Sequence, residues 1–95
     1  MIYVDEVFEA MPRNAQARSH GTRWSHMITD GDLEELHAMA AKLGLRRSYF
    51  QSDSFPHYDL VPSKRALAIT FGAVSLPWRE MVAKMKELRE ARKAI

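Results

Sequence analysis

The densest chemistry in the chain lies in residues 55–65, Phe-Pro-His-Tyr-Asp-Leu-Val-Pro-Ser-Lys-Arg. An imidazole can give or take a proton near neutral pH. On an extended segment, His57 and Asp59 point the same way, so the carboxylate can orient the ring or shape a polar pocket. No third catalytic partner is visible in the sequence, which favours ligand contact over a self-sufficient catalytic pair. Ser63, Lys64 and Arg65 then open an apolar helix. A helix start exposes unpaired N–H groups and the positive end of the dipole, so an added hydroxyl and two cations make a phosphate or carboxylate cradle. Arg65 suits a bidentate grip and Lys64 a point charge. Cations at a helix start are unfavourable by about 0.3–1 kcal/mol each, so two of them need a reason. The competing reading is an ordinary Ser63 N-cap with solvated cations.

Trp24-Ser25-His26-Met27 forms a second set. In a strand, Trp24 and His26 share one face and Ser25 and Met27 the other. That places an aromatic platform beside an imidazole, a surface suited to a base or sugar, although a half-buried structural strand reads the same way. Metal chemistry has weaker support. There is no cysteine, and His20, His26, His37 and His57 lack compact ligand spacing. His26 with Asp30, or Asp30 with Asp32, could share an ion, but Asp30 and Asp32 also explain themselves as turn and cap residues. No metal and no other cofactor is therefore expected.

The elements that must position these groups follow from periodicity. Met1–Asp5, Arg23–Thr29 and Arg46–Gln51 read as strands, with a short fourth at Ala73–Leu76. Asp32 caps a helix whose apolar face is Leu33, Leu36, Ala40 and Leu43; Glu35 completes a capping box, and Gly44 ends the helix. A second helix runs from about Ser63 to Phe71, and its core, Ala66-Leu67-Ala68-Ile69, has almost no polar face, which predicts burial on most sides. Pro77 starts a third helix, to residue 93, with Trp78, Met81, Val82, Met85 and Leu88 as its stripe. Residues 9–22 read as a loop. The order predicts a single small α/β domain, three or four short strands with three packed helices.

Composition bounds the rest. Ninety-five residues with 46% hydrophobic and 27% charged side chains make one ordinary globular domain. So small a domain gains from oligomerisation, which leaves a homodimer open. The absence of cysteine fits a reducing compartment, residues 1–10 do not resemble a signal peptide, and no apolar run is long enough to span a bilayer. The expected location is cytoplasmic, with no membrane partner. The net charge of +2 is too small to argue for nucleic acid alone. From Arg79 to Lys93, however, six basic residues face three glutamates. Ala68, Gly72, Trp78 and Met81 also match helix-turn-helix spacing loosely, which makes residues 64–93 a candidate nucleic-acid reader.

Several ordered motifs carry a resemblance: Tyr3-Val4-Asp5, Trp24 to Asp30, Glu34 to Ala40 with Leu43-Gly44, Gln51, His57-Tyr58-Asp59, Lys64-Arg65-Ala66 and Gly72-Ala73-Val74. Together they resemble domain-of-unknown-function family 4031, short proteins of bacteria and their phages. The resemblance covers most of residues 1–76 and leaves the last helix, 77–93, largely outside. It implies that Asp5, Trp24, His26, Asp30, Gln51, His57, Tyr58, Asp59, Lys64 and Arg65 form one recurring polar set, and it carries no activity. Two departures, Glu6 in place of a second Asp and a longer stretch at residues 7–22, flank Asp5.

The expectation is a protein that binds a phosphorylated, nucleotide-like small molecule. Ser63, Lys64 and Arg65 hold the phosphate, Trp24 or Tyr58 stacks on a ring, and Gln51, His26, His57 and Asp59 supply polar contacts. His26, His57 and Asp59 are the candidates for acid–base phosphoester hydrolysis. The alternatives are the nucleic-acid-binding regulator over 64–93 and a protein-interaction module using the last helix.

Overall fold

A computed structural model describes residues 1–9, 21–52 and 55–93. Five strands and three helices are present among them: β1 (Ile2–Val4), β2 (Phe8–Glu9), β3 (Arg23–Thr29), α1 (Leu33–Lys42), β4 (Tyr58–Leu60), α2 (Pro62–Thr70), β5 (Val74–Ser75) and α3 (Trp78–Lys93). This is the expected α/β class, with one strand more than the upper expectation. The loop read over residues 9–22 lies largely outside the described residues.

The seven-residue strand β3 organises the sheet. It pairs antiparallel with β1, β2 and β4, and β1 pairs parallel with β5. Alternation then sorts the side chains. Met27, Tyr58 and Leu60 join Leu36, Met39, Ala40 and Leu43 of α1 and Ala68 of α2 in one core. Tyr3, Ile28 and Phe55 join Met81 of α3 in the other, with Val74, Leu76, Met85 and Leu88 packed against it. The sheet is therefore covered by α1 and α2 on one face and by α3 on the other. Among the described residues, no helix is long and apolar enough to cross a membrane.

Local chemistry accounts for both ends of α1. The Asp32 carboxylate accepts the Glu34 N–H at 3.0 Å, as an N-cap should. The expected capping box does not close, because the Glu35 carboxylate turns to the chain's amino group at 2.6 Å and Thr29 Oγ1 at 3.3 Å. Gly44 ends the helix at φ +78°, a left-handed conformation that favours glycine.

Three other expectations are corrected. Arg46–Gln51 is not a strand: Arg47–Tyr49 form a 3₁₀ turn, and Gln51 makes an isolated bridge with His57. Arg46, Arg47 and Ser48 are all exposed and offer no alternating face to bury. Helix α2 is not buried on most sides. Ala68 is its one fully buried residue, whereas Leu67, Ile69 and the following Phe71 are 36–45% exposed. A helix laid on so small a sheet touches it along a narrow stripe. Residues 64–93 are also not a helix-turn-helix, since β5 intervenes between α2 and α3 and joins the sheet.

Candidate functional site

The site begins at a fault in the sheet. Val4 faces Met27 and Phe8 faces Trp24, so four steps along β1–β2 match three along β3. The extra residue makes a bulge that interrupts the ladder at Asp5–Val7. The Asp5 backbone N–H still donates to the His26 carbonyl at 3.2 Å. The Asp5 carboxylate takes the place of the missing ladder partner: Oδ1 accepts the His26 backbone N–H at 2.6 Å, and Oδ2 accepts His26 Nδ1 at 2.7 Å. A carboxylate only accepts, so Nδ1 carries the proton and Nε2 of the neutral ring carries the lone pair. Phe8 stacks on the ring at 4.8 Å between centroids.

Asp5 is 1% exposed and is fixed from behind. Its carbonyl accepts Ser25 Oγ at 3.0 Å and Arg65 Nε at 2.7 Å, and a second Arg65 nitrogen donates to Ser75 Oγ at 2.7 Å. The neighbouring Glu6 accepts the first N–H of α3, from Trp78, at 3.3 Å. The bulge thus ties together β1, β3, α2, β5 and the start of α3.

Strand β4 and the segment bridged just before it supply the other half. His57 Nδ1 donates to the Phe55 carbonyl at 2.6 Å, and His57 Nε2 lies 3.4 Å from Asp59 Oδ1. Gln51 Nε2 donates to Asp59 Oδ2 at 2.6 Å. His26 Nε2 lies 4.0 Å from the same Asp59 oxygen, and the two imidazoles meet edge to face at 5.3 Å. Burial raises the Asp59 pKa, but hydrogen bonds from His57 and Gln51 outweigh it and hold the carboxyl below its usual range. One ligand atom from each of His26, His57 and Asp59 falls within 4.8 Å of the others, so these three can share an ion.

Beside this cluster lies a cavity of about 130 Å³. Asp5, His26 and His57 form its polar side; Phe55, Trp78, Met81, Val82 and Met85 form its apolar side, and Arg89 stands with them. It adjoins a shallow hollow of about 370 Å³ over Val82, Met85, Lys86, Arg89 and Glu90. Trp78 is 57% exposed and Val82 45%, whereas Phe55 and Met81 are buried, so the outer part of the apolar side faces water.

The expected halves meet through His26, His57, Asp59 and Gln51. The rest of the predicted set is placed elsewhere. Tyr58 is fully buried, with its hydroxyl 2.7 Å from His37 Nδ1, and cannot stack on a ligand. Trp24 is half-buried opposite Phe8 on β3 and is not among the described residues lining the cavity. Ser63 makes no cap, because α2 starts one residue earlier, at Pro62 behind Val61. The Lys64 ammonium lies 3.7 Å from where a Cβ would sit on Gly44, beside the C-terminal end of α1. Arg65 grips Asp5 and Ser75. The end of α1 is a favourable place for the Lys64 cation, and the hydrogen bonds of Arg65 offset the cost of a cation at a helix start. Asp30 accepts from the chain's amino group and from the Tyr3 hydroxyl, both at 3.0 Å, and Asp32 is the N-cap.

The family model described as a protein of unknown function (DUF4031) matches residues 2–88. The chain belongs to the DUF4031 family. The match passes the expected limit of residue 76 and takes in most of α3, the helix that walls the cavity. No curated protein and no solved structure matches the chain.

Sequence reasoning missed the roles of Asp5 and the α3 wall. Asp5 was visible only within the recurring polar set, because its role depends on a bulge that no periodicity reveals. Trp78, Met81, Val82 and Met85 read as an ordinary core stripe, and the exposure of Trp78 and Val82 is the part that points to a site.

Proposed function

We propose that this DUF4031 protein binds a small phosphorylated, nucleotide-like ligand in the cleft between the His26–His57–Asp59 cluster and α3, and that phosphoester hydrolysis is the reaction open to it. The observation that carries this reading is the two-sided cavity, with oriented imidazoles on the sheet side and an exposed apolar wall bearing Arg89 on the helix side. A ligand site of this kind pairs a mostly apolar surface with a few fixed polar groups. The 130 Å³ cavity suits a phosphoryl group and its nearest substituent; a whole nucleotide needs the adjoining hollow too. In this arrangement Arg89 replaces Lys64 and Arg65 as the cation for the phosphate, and Trp78 replaces Trp24 and Tyr58 as the stacking ring.

Thermal-shift measurements against a panel of nucleoside mono-, di- and triphosphates test the proposal, run with divalent salts and again with chelator. A stabilising shift with at least one member, lost in both Arg89→Ala and Trp78→Ala, is expected. Failure of every nucleotide under both conditions overturns it, as does a shift that both variants retain.

A further inference from the structure

We infer that His26, His57 and Asp59 form a binding site for a single divalent transition-metal ion, with Nε2 of each imidazole and a carboxylate oxygen of Asp59 as ligands.

The donor set is two imidazoles and one carboxylate, which suits Zn²⁺, Fe²⁺ or Co²⁺ and leaves coordination positions open. Bonds of about 2.1 Å at tetrahedral angles place neighbouring ligand atoms about 3.4 Å apart. The separations from Asp59 Oδ1 are 3.4 Å to His57 Nε2 and 4.0 Å to His26 Nε2, and the three ligand atoms lie within 4.8 Å of one another, so closure around an ion draws the two imidazoles inward onto the carboxylate.

The outer contacts point the same way. Metal-bound histidines almost always donate their second ring nitrogen to a carboxylate or carbonyl, which fixes the tautomer. Here His26 donates to the Asp5 carboxylate at 2.7 Å and His57 to the Phe55 carbonyl at 2.6 Å, each through Nδ1. The metal-facing oxygen of Asp59 is Oδ1, and its other oxygen is anchored by Gln51 at 2.6 Å. All three ligands are thus held from behind by separate partners on β1, the Phe55 backbone and the segment bridged to His57.

Charge balance supplies a further argument. Asp5 and Asp59 bring two carboxylates to the cluster, a setting that attracts cations. A divalent ion there cancels the two negative charges, and with Arg89 opposite it forms a two-sided clamp for phosphoryl oxygens. The cavity beside the cluster leaves the open positions accessible. When bound, the ion polarises a phosphoryl oxygen or lowers the pKa of a water. The competing occupant is a proton shared between His57 and Asp59.

The inference does not need the phosphorylated ligand, and the two can fail separately. The test is isothermal titration of the full, chelator-treated chain with ZnCl₂ and with CoCl₂, plus the visible spectrum of the cobalt form. Uptake of one ion per chain is expected, with cobalt bands of a low-symmetry nitrogen–oxygen site. His57→Gln and Asp59→Asn should each weaken uptake by at least about 100-fold, beyond the usual loss for an outer-contact mutation. Asp32→Asn keeps its N-cap and should bind like wild type, which separates this site from the Asp30–Asp32 turn. Absence of uptake by a folded wild-type chain overturns the inference in favour of the shared proton. Unchanged uptake in both ligand variants, each confirmed folded by circular dichroism, overturns it in favour of another site. Metal uptake without any nucleotide shift refutes the proposed ligand alone; nucleotide binding by a chain that takes up no metal refutes the metal site alone.

Discussion

Asp5→Asn is the most discriminating substitution, because the fold and the site meet at that carboxylate. Asp5 is 1% exposed and accepts two N–H groups from one residue, the His26 backbone at 2.6 Å and the imidazole Nδ1 at 2.7 Å. Asparagine has nearly the same shape but offers only one acceptor oxygen; its other terminal atom is a donor. If the oxygen keeps the backbone N–H, the amide NH₂ faces Nδ1, and the ring must move its proton to Nε2 to accept it. Both bonds then survive in neutral form. A hydrogen bond to a charged group is worth about 1.5–3 kcal/mol and a neutral one about 0.5–1.5, so two such exchanges cost roughly 2–3 kcal/mol. In a domain of this size that lowers Tm by roughly 10–20 °C. Long-range ¹H–¹⁵N spectra of the imidazole report the tautomer, and urea denaturation reports the stability. The expected result is a folded, destabilised protein whose His26 proton has moved to Nε2. A loss under about 0.5 kcal/mol with the proton still on Nδ1 would refute the reasoning. Asp5→Ala, which leaves both donors without this acceptor, should cost more, about 3–5 kcal/mol.

Other outcomes follow from single contacts. Tyr58→Phe removes a fully buried hydroxyl from its 2.7 Å bond to His37 and should cost about 1–1.5 kcal/mol in urea denaturation; a gain in stability contradicts the assigned bond. Gly44→Ala should cost about 1–2 kcal/mol from the positive φ alone, since a Cβ there meets only Lys64 Nζ at an ordinary 3.7 Å; thermal denaturation checks it. Leu36→Ala removes a fully buried side chain from the α1 core and should cost about 2–5 kcal/mol, against under about 0.5 kcal/mol for an exposed position such as Lys42→Ala. The Asp30 carboxyl is held below its usual pKa, first by its bond to the chain's amino group, against burial and with help from Tyr3. That amino group is raised, first by Glu35 and then by Asp30. The depressed acid stabilises above its unfolded pKa and loses this as pH falls through the folded value; the raised amine stabilises below its unfolded pKa and loses this as pH rises through the folded value. The network should therefore contribute fully between about pH 4 and 8 and fade on either side. These groups are largely solvated, so the effect stays under about 1 kcal/mol, and Asp30→Asn should flatten the acid limb of a stability–pH curve.

The legible parts of the sequence were those set by local rules. The Asp32 cap, the Gly44 stop, the α1 stripe and the face-sharing of His57 with Asp59 each depend on neighbours within a few residues. The alternation of β3 was legible as well, because Ser25 and Met27 are buried while Trp24 and His26 stay half-exposed. The failures came where a distant element decided the outcome. Lys64 and Arg65 looked like an anion cradle because a helix start disfavours cations; the structure answers with the C-terminal end of α1 and the carbonyl of Asp5, and neither is inferable from the local sequence. Tyr58 looked like a stacking ring, but its strand phase opposes that of His57 and Asp59 and drives it into the core. The approach of His26 to His57 was not legible from spacing, because the two come from segments brought together by β3–β4 pairing.

The bulge at Asp5 explains why these separate elements converge at one point. A continuous β1–β3 ladder would satisfy the His26 N–H with a backbone carbonyl and leave the imidazole to find its own orientation. Breaking the ladder leaves a donor that must be paired, and a carboxylate placed there pairs it while its second oxygen fixes the ring. At the same break Glu6 accepts the first N–H of α3, at the start of the wall opposite the cluster. One local irregularity thus orients His26 and contacts the start of the helix bearing Trp78 and Arg89. Repairing the bulge, for example by deleting Val7, should restore a regular ladder and remove the site together with the constraint that created it.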